Sequence, residues 1–112
     1  MTVQIIKDTL DPIAKAYHVH ADDSAPTTYI TFFIYNEQPE AYAENKPTAT
    51  GTYWQFDLWR KFDDESETDL DSLKKQITEA LENLGFAGFT AQELYEKDTE
   101  TDHIALRCNY VV

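Results

Sequence analysis

At 112 residues, with 42% hydrophobic and 13% aromatic content, the chain has the size and apolar material of one domain spanning 1–112, which argues against intrinsic disorder. Its 21 acidic against 9 basic residues leave a net charge of −12, and that sign argues against wrapping nucleic acid or adhering to anionic membrane. No stretch approaches the roughly 18 apolar residues of a membrane span, and "MTVQIIKDTLDP" has no basic region, apolar stretch or cleavage site, so a cytoplasmic start is expected.

The first segment, "TVQIIKDTLDPIAKAY", places Val3, Ile6, Leu10, Ile13 and Tyr17 at a spacing close to one helical face. Pro12 removes a backbone donor and crowds the preceding turn. The segment is therefore expected to kink, or to restart with Asp11 as N-cap and Pro12 at the first helical position. "HADDSAPT" reads as a loop. Residues 28–36, "TYITFFIYN", and residues 52–61, "TYWQFDLWRK", are rich in β-branched and aromatic residues and read as strands. Between them, "EQPEAYAENKPTATG" reads as a long loop, a kind uncommon in compact domains unless it binds something or moves. After the acidic run "DDESETD", residues Leu70, Leu73, Ile77, Ala80, Leu81 and Leu84 form a broad amphipathic stripe. Thr68 is the expected N-cap and Gly85 the stop. "TAQELYEKD" and "DHIALRCNYVV" read as a closing hairpin turning at "DTETD". The resulting order is α-β-β-α-β-β, an α+β domain whose mostly antiparallel four-stranded sheet packs against helices.

Side chains with catalytic potential carry little pattern. His18 and His20 share a face if extended and, with His103, supply three imidazoles, but no Cys–His spacing supports a zinc site. Asp22–Asp23 and Asp63–Asp64–Glu65 lie in loops or near a helix start and do not match the spaced ligands of a calcium loop. The lone Cys108 cannot form an internal disulfide, shares parity with Ile104, Leu106 and Tyr110, and reads as a buried thiol. Nucleophile elbow, phosphate loop and glycine-rich fingerprint are all missing from a sequence with 3 glycines. Neither catalysis nor a cofactor or metal is expected.

The strands are more informative. Ile30, Phe32 and Ile34 share one face, and Tyr29, Phe33 and Tyr35 the other; Trp54, Phe56 and Leu58 oppose Tyr53, Gln55, Asp57 and Trp59. One face packs on the helices. The second face holds Tyr29, Phe33, Tyr35, Tyr53 and Trp59, too many large aromatics for scattered surface positions. Either the N-terminal helix covers it or another chain does, and Tyr and Trp among polar residues are favoured at protein interfaces.

Within residues 27–62, a strand bearing "YITF", then "YNEQ", a polar "YAEN" and a spaced "TG-Y-Q-D-W-K" resemble the tail-completion family of long-tailed bacteriophages. These are tail terminator or head–tail joining proteins, and the likeness is to versions in phages and prophages of Gram-positive bacteria; outside 27–62 it rests on element order alone. The resemblance implies a homo-oligomeric ring, usually a hexamer assembled from monomers, that caps the tail tube and meets the head connector or stopper. It implies residence in host cytoplasm during assembly and afterwards at the head–tail junction of the virion. A neighbouring subunit would then cover the second face, and an acidic lumen would let DNA slide past without sticking. The 37–51 loop would be an assembly arm carrying Tyr42, Glu44, Asn45, Thr50 and Gly51. Glu44 stands where the family pattern often has Asp. The competing reading, drawn from the charge alone, is an acidic inhibitor that mimics DNA, although the acids cluster in loops and helix starts instead of along one face.

Overall fold

The computed structural model describes residues 1–61 and 69–111. Helix α1 spans Val3–Leu10, strands β1 to β3 span Lys15–His18, Thr28–Ala43 and Lys46–Lys61, helix α2 spans Leu70–Leu84, and β4 and β5 span Ala87–Glu96 and Thr101–Val111. The five strands form one mixed sheet in the order β1-β2-β3-β5-β4, with β1 parallel to β2 and the other pairs antiparallel. The α+β class holds, but the sheet has a fifth strand and the order is α-β-β-β-α-β-β.

The added strand comes from the segment expected to be helix up to Tyr17. Thr2 caps α1 by accepting the Ile5 N–H at 3.2 Å, and Ile6 and Leu10 face the core. The helix then ends ahead of Pro12, and it does not restart. Asp11 is its C-cap and not a second N-cap; its carboxylate accepts the Ala16 N–H at 2.9 Å and so starts β1. Val19 closes this short strand in a three-residue turn, at φ 74°, with the His20 N–H on the His18 carbonyl at 3.0 Å.

The second correction concerns residues 37–51. They are not a loop: β2 and β3 run on as a two-stranded arm to a two-residue turn at Glu44–Asn45. Both turn residues have positive φ, 52° and 63°, the signature of the turn whose twist suits a hairpin. The arm stretches the molecule to 56 Å along its axis against 26 and 24 Å across. Register shifts interrupt its ladder between Ile34 and Asn36, between Pro39 and Ala41, and between Ala41 and Tyr42.

Helix α2 starts at Leu70 with Asp69 as N-cap, accepting the Ser72 N–H at 2.6 Å; the expected cap, Thr68, lies outside the described residues. Gly85 ends the helix at φ 108°, as expected. Both helices lie on the same side of the sheet, where Ile6 and Leu10 meet Leu73, Ile77 and Leu81 over Ile30, Phe32, Phe56, Leu58, Ile104 and Leu106. Phe32, Trp54, Phe56 and Phe86 pack ring against ring at the centre of this core. The domain therefore has two layers. Among the described residues, no element lies over the other face of the sheet.

Candidate functional site

The uncovered face is a grid set by strand register. One row runs Lys15–Tyr29–Trp59–His103–Leu94 across every strand; the next holds Tyr17, Thr31, Asp57, Ala105 and Gln92. A third holds Phe33, Gln55, Arg107 and Thr90, and the arm takes over where Tyr53 faces Asn36 and Asn109. Tyr35 is the extra residue of the first register shift and sits beside Tyr53, ring centres 6.3 Å apart. The structure thus brings Tyr29, Phe33, Tyr35, Tyr53 and Trp59 onto one continuous surface, as the alternation predicted.

The rings stand side by side. Tyr17 meets Tyr29 edge to face, Tyr29 stacks beside Trp59, and Trp59 lies on His103 at 3.8 Å and 11°. Trp59 spends one flat face on His103, and the Arg107 guanidinium takes one face of Tyr35. Those two faces are closed to a stacking base or sugar, while the Tyr hydroxyls and ring edges beside them suit the side chains of a protein.

A chain of polar contacts ties these rings together. The Arg107 guanidinium lies 4.7 Å over Tyr35 and donates from Nε to Gln55; Gln55 donates from Nε2 to Asp57 Oδ1 at 2.9 Å. The same oxygen meets His103 Nε2 at 2.6 Å, and His103 Nδ1 stands 3.4 Å from Glu96. Asp57 and His103 are 3% and 7% exposed, a charged group and an imidazole buried on the side facing away from the core. Trp59 shields them, itself fixed by its indole N–H on Thr31 at 2.9 Å. With both ring nitrogens engaged and one ring face under Trp59, His103 presents no free nitrogen to a substrate.

The polar chain continues onto the arm. Tyr53 donates its hydroxyl to Glu40 at 2.7 Å, Gln38 donates to Tyr53, and Asn36 donates to Gln38. The Glu40 carboxylate, accepting that hydroxyl, pushes the Tyr53 phenol above its ordinary ionisation range; burial does the same to Tyr29. Gly51 admits this arrangement because the Glu40 side chain occupies the space that a Cβ at Gly51 would need. The residues assigned to the assembly arm by resemblance therefore divide. Glu44 and Asn45 form its tip with exposed Tyr42 beside them, whereas Thr50 and Gly51 lie at its root, opposite Pro39 and Gln38.

The remaining candidates scatter. His18 rests against Phe32 on the helix side and His103 lies on the open side, so the three histidines do not converge, and the described residues contain no cluster fit to hold a metal. Asp22 forms a local turn with Ser24, whose hydroxyl and N–H lower its pKa; Asp63, Asp64 and Glu65 lie outside the described residues. Cys108 is buried, and burial pushes its thiol up to about 12, leaving it protonated and inert at neutral pH. Sequence reasoning missed the Asp57–His103–Glu96 group. Asp57 was placed on the aromatic face, but its partner lies 46 residues away and only the β3–β5 register joins them.

Among the described residues, no helix is long and apolar enough to cross a membrane. No protein-family model matches the chain, and no curated protein matches its sequence.

Proposed function

We propose that the chain is a structural assembly protein of the tail-completion kind, forming a homo-oligomeric ring that caps a phage tail tube and joins it to the head connector. The supporting observation is the open sheet face: five large aromatics, Tyr29, Phe33, Tyr35, Tyr53 and Trp59, gathered on one surface that no described element covers. Aromatic anchors with a polar surround are the composition of a protein interface. The ring edges and polar chain make that surface adhesive to another protein, and a ring requires each subunit to offer two such surfaces to its neighbours. The projecting arm supplies a second contact element, reaching the tube or the connector with Tyr42 near its tip. The acidic excess suits a lumen through which DNA must slide.

The test is native mass in solution at rising protein concentration, with and without tail tubes, for the wild type, Trp59→Ala and Tyr53→Ala. The wild type is expected to assemble, and both variants to remain monomeric and leave tails unfinished. A wild type that stays monomeric even with tubes present, or variants that complete tails normally, would sink the reading. Tight binding to a nuclease or restriction enzyme would favour the DNA-mimic alternative.

A further inference from the structure

Both nitrogens of His103 meet carboxylates, but the two carboxylates differ in kind. The Asp57 side chain is 5% exposed, stands 2.6 Å from Nε2 and holds a second donor in Gln55. The Glu96 side chain is 48% exposed and stands 3.4 Å from Nδ1. An imidazolium has an N–H for each; a neutral imidazole has one N–H and one bare lone pair. In the neutral ring the proton stays on Nε2, because stripping a donor from a buried carboxylate costs more than releasing one that water can solvate. Nδ1 then turns its lone pair on Glu96, and a contact that held becomes one that repels.

We infer that His103 is a proton-operated latch. Charged, it ties Glu96 at the end of β4 to the open face; neutral, it releases Glu96 while Asp57 stays held. The inference stands apart from the assembly role proposed above. The other charged groups around the ring do not compete for this part. From β3, Asp57 is fixed by two donors and Lys61 stands one row away beside Thr101; Asp102, on β5 itself, takes the opposite parity. Lys97 and Asp98, in the β4–β5 turn, join Glu96, Thr99 and Trp59 in lining an open groove of about 440 Å³. Asp69 and Asp71 at the start of α2 and Glu93 on β4 share a pocket with Asp102 and His103, but among the described residues it is Glu96 that combines a hydrogen-bond contact with His103 and access to water. Its release loosens one wall of that groove and uncovers the flank of Trp59.

Imidazole ordinarily changes charge between about pH 5 and 8, so the comparison is made on the full chain at about pH 5.5 and about pH 8.5. Amide exchange of residues 97–101, corrected for its intrinsic pH dependence, is expected to lose about threefold or more of its protection at the higher pH. Glu96→Ala is expected to show equal protection at both. Trp59 emission gives a second readout, because an imidazolium quenches a stacked indole more strongly than a neutral ring: emission rises with pH in the wild type and not in His103→Gln. Should His103→Gln fail to fold, the Glu96→Ala comparison still decides, since Glu96 is half in solvent. Equal protection at both pH values in the wild type, or a pH dependence that survives Glu96→Ala, overturns the latch.

Discussion

Asp57 shows how one residue's position changes its energetic weight. An aspartate on the open side of a sheet would ordinarily be solvated and replaceable, but Trp59 and His103 take this one out of water. Removing it leaves a buried imidazole without its partner, so Asp57→Ala is expected to cost about 3 kcal/mol in urea unfolding. Glu96→Ala, at the half-exposed end of the same chain of contacts, is expected to cost less than about 1 kcal/mol. A second residue-scale expectation concerns Tyr53. The Glu40 carboxylate raises its pKa by accepting its proton and opposing the phenolate, so Glu40→Gln should bring the phenol down toward its ordinary value near 10.0, read as absorbance during an alkaline titration. Alternation alone placed Tyr53, Asp57 and Trp59 on their shared face. The sequence carries no comparable signal for which distant histidine completes the group, because that depends on a register between strands separated by a helix.

Among the elements, α2 was legible because its stripe, its acidic start and Gly85 all agree. The arm was not, for a physical reason: its strands bury little beyond Ile34, so they lack the apolar alternation by which a half-buried strand is recognised. Two prolines and a run of polar residues imitate a loop, yet prolines are tolerated here because, among the described residues, no further strand pairs with the arm at either edge. Strand β1 escaped for the opposite reason, its four residues prolonging the helical spacing of α1 while Pro12 ended the helix itself. At the arm's tip, Glu44 sits at φ 52°, a region that favours Asn and Gly. Replacing Glu44–Asn45 with Asn–Gly is expected to relieve about 1 kcal/mol locally, seen as roughly fivefold slower amide exchange across residues 41–48. The global unfolding midpoint should hardly move, since the arm adds nothing to the core.

For the whole molecule, both helices on one side leave a dry face and a wet face on a single sheet. The class of fold was readable from hydrophobic pattern; the side taken by α1 was not, because its stripe fits either face equally well. Placing α1 against α2 answers what covers the aromatic surface within the chain, since no described element does. The three register shifts in the arm give it a built-in aim. Each leaves one residue unpaired, Tyr35 and Glu40 on β2 and Thr48 on β3, and adds a local bend and twist while the pairing resumes beyond it, so the direction in which Tyr42 and the tip present themselves is set by these three points. The arm's aim is therefore set by where its unpaired residues fall. Deleting Tyr35 would keep Ile34 on Trp54 and Asn36 on Tyr53, so the same sides of the ribbon stay forward, but it would take out one local bend and swing the tip.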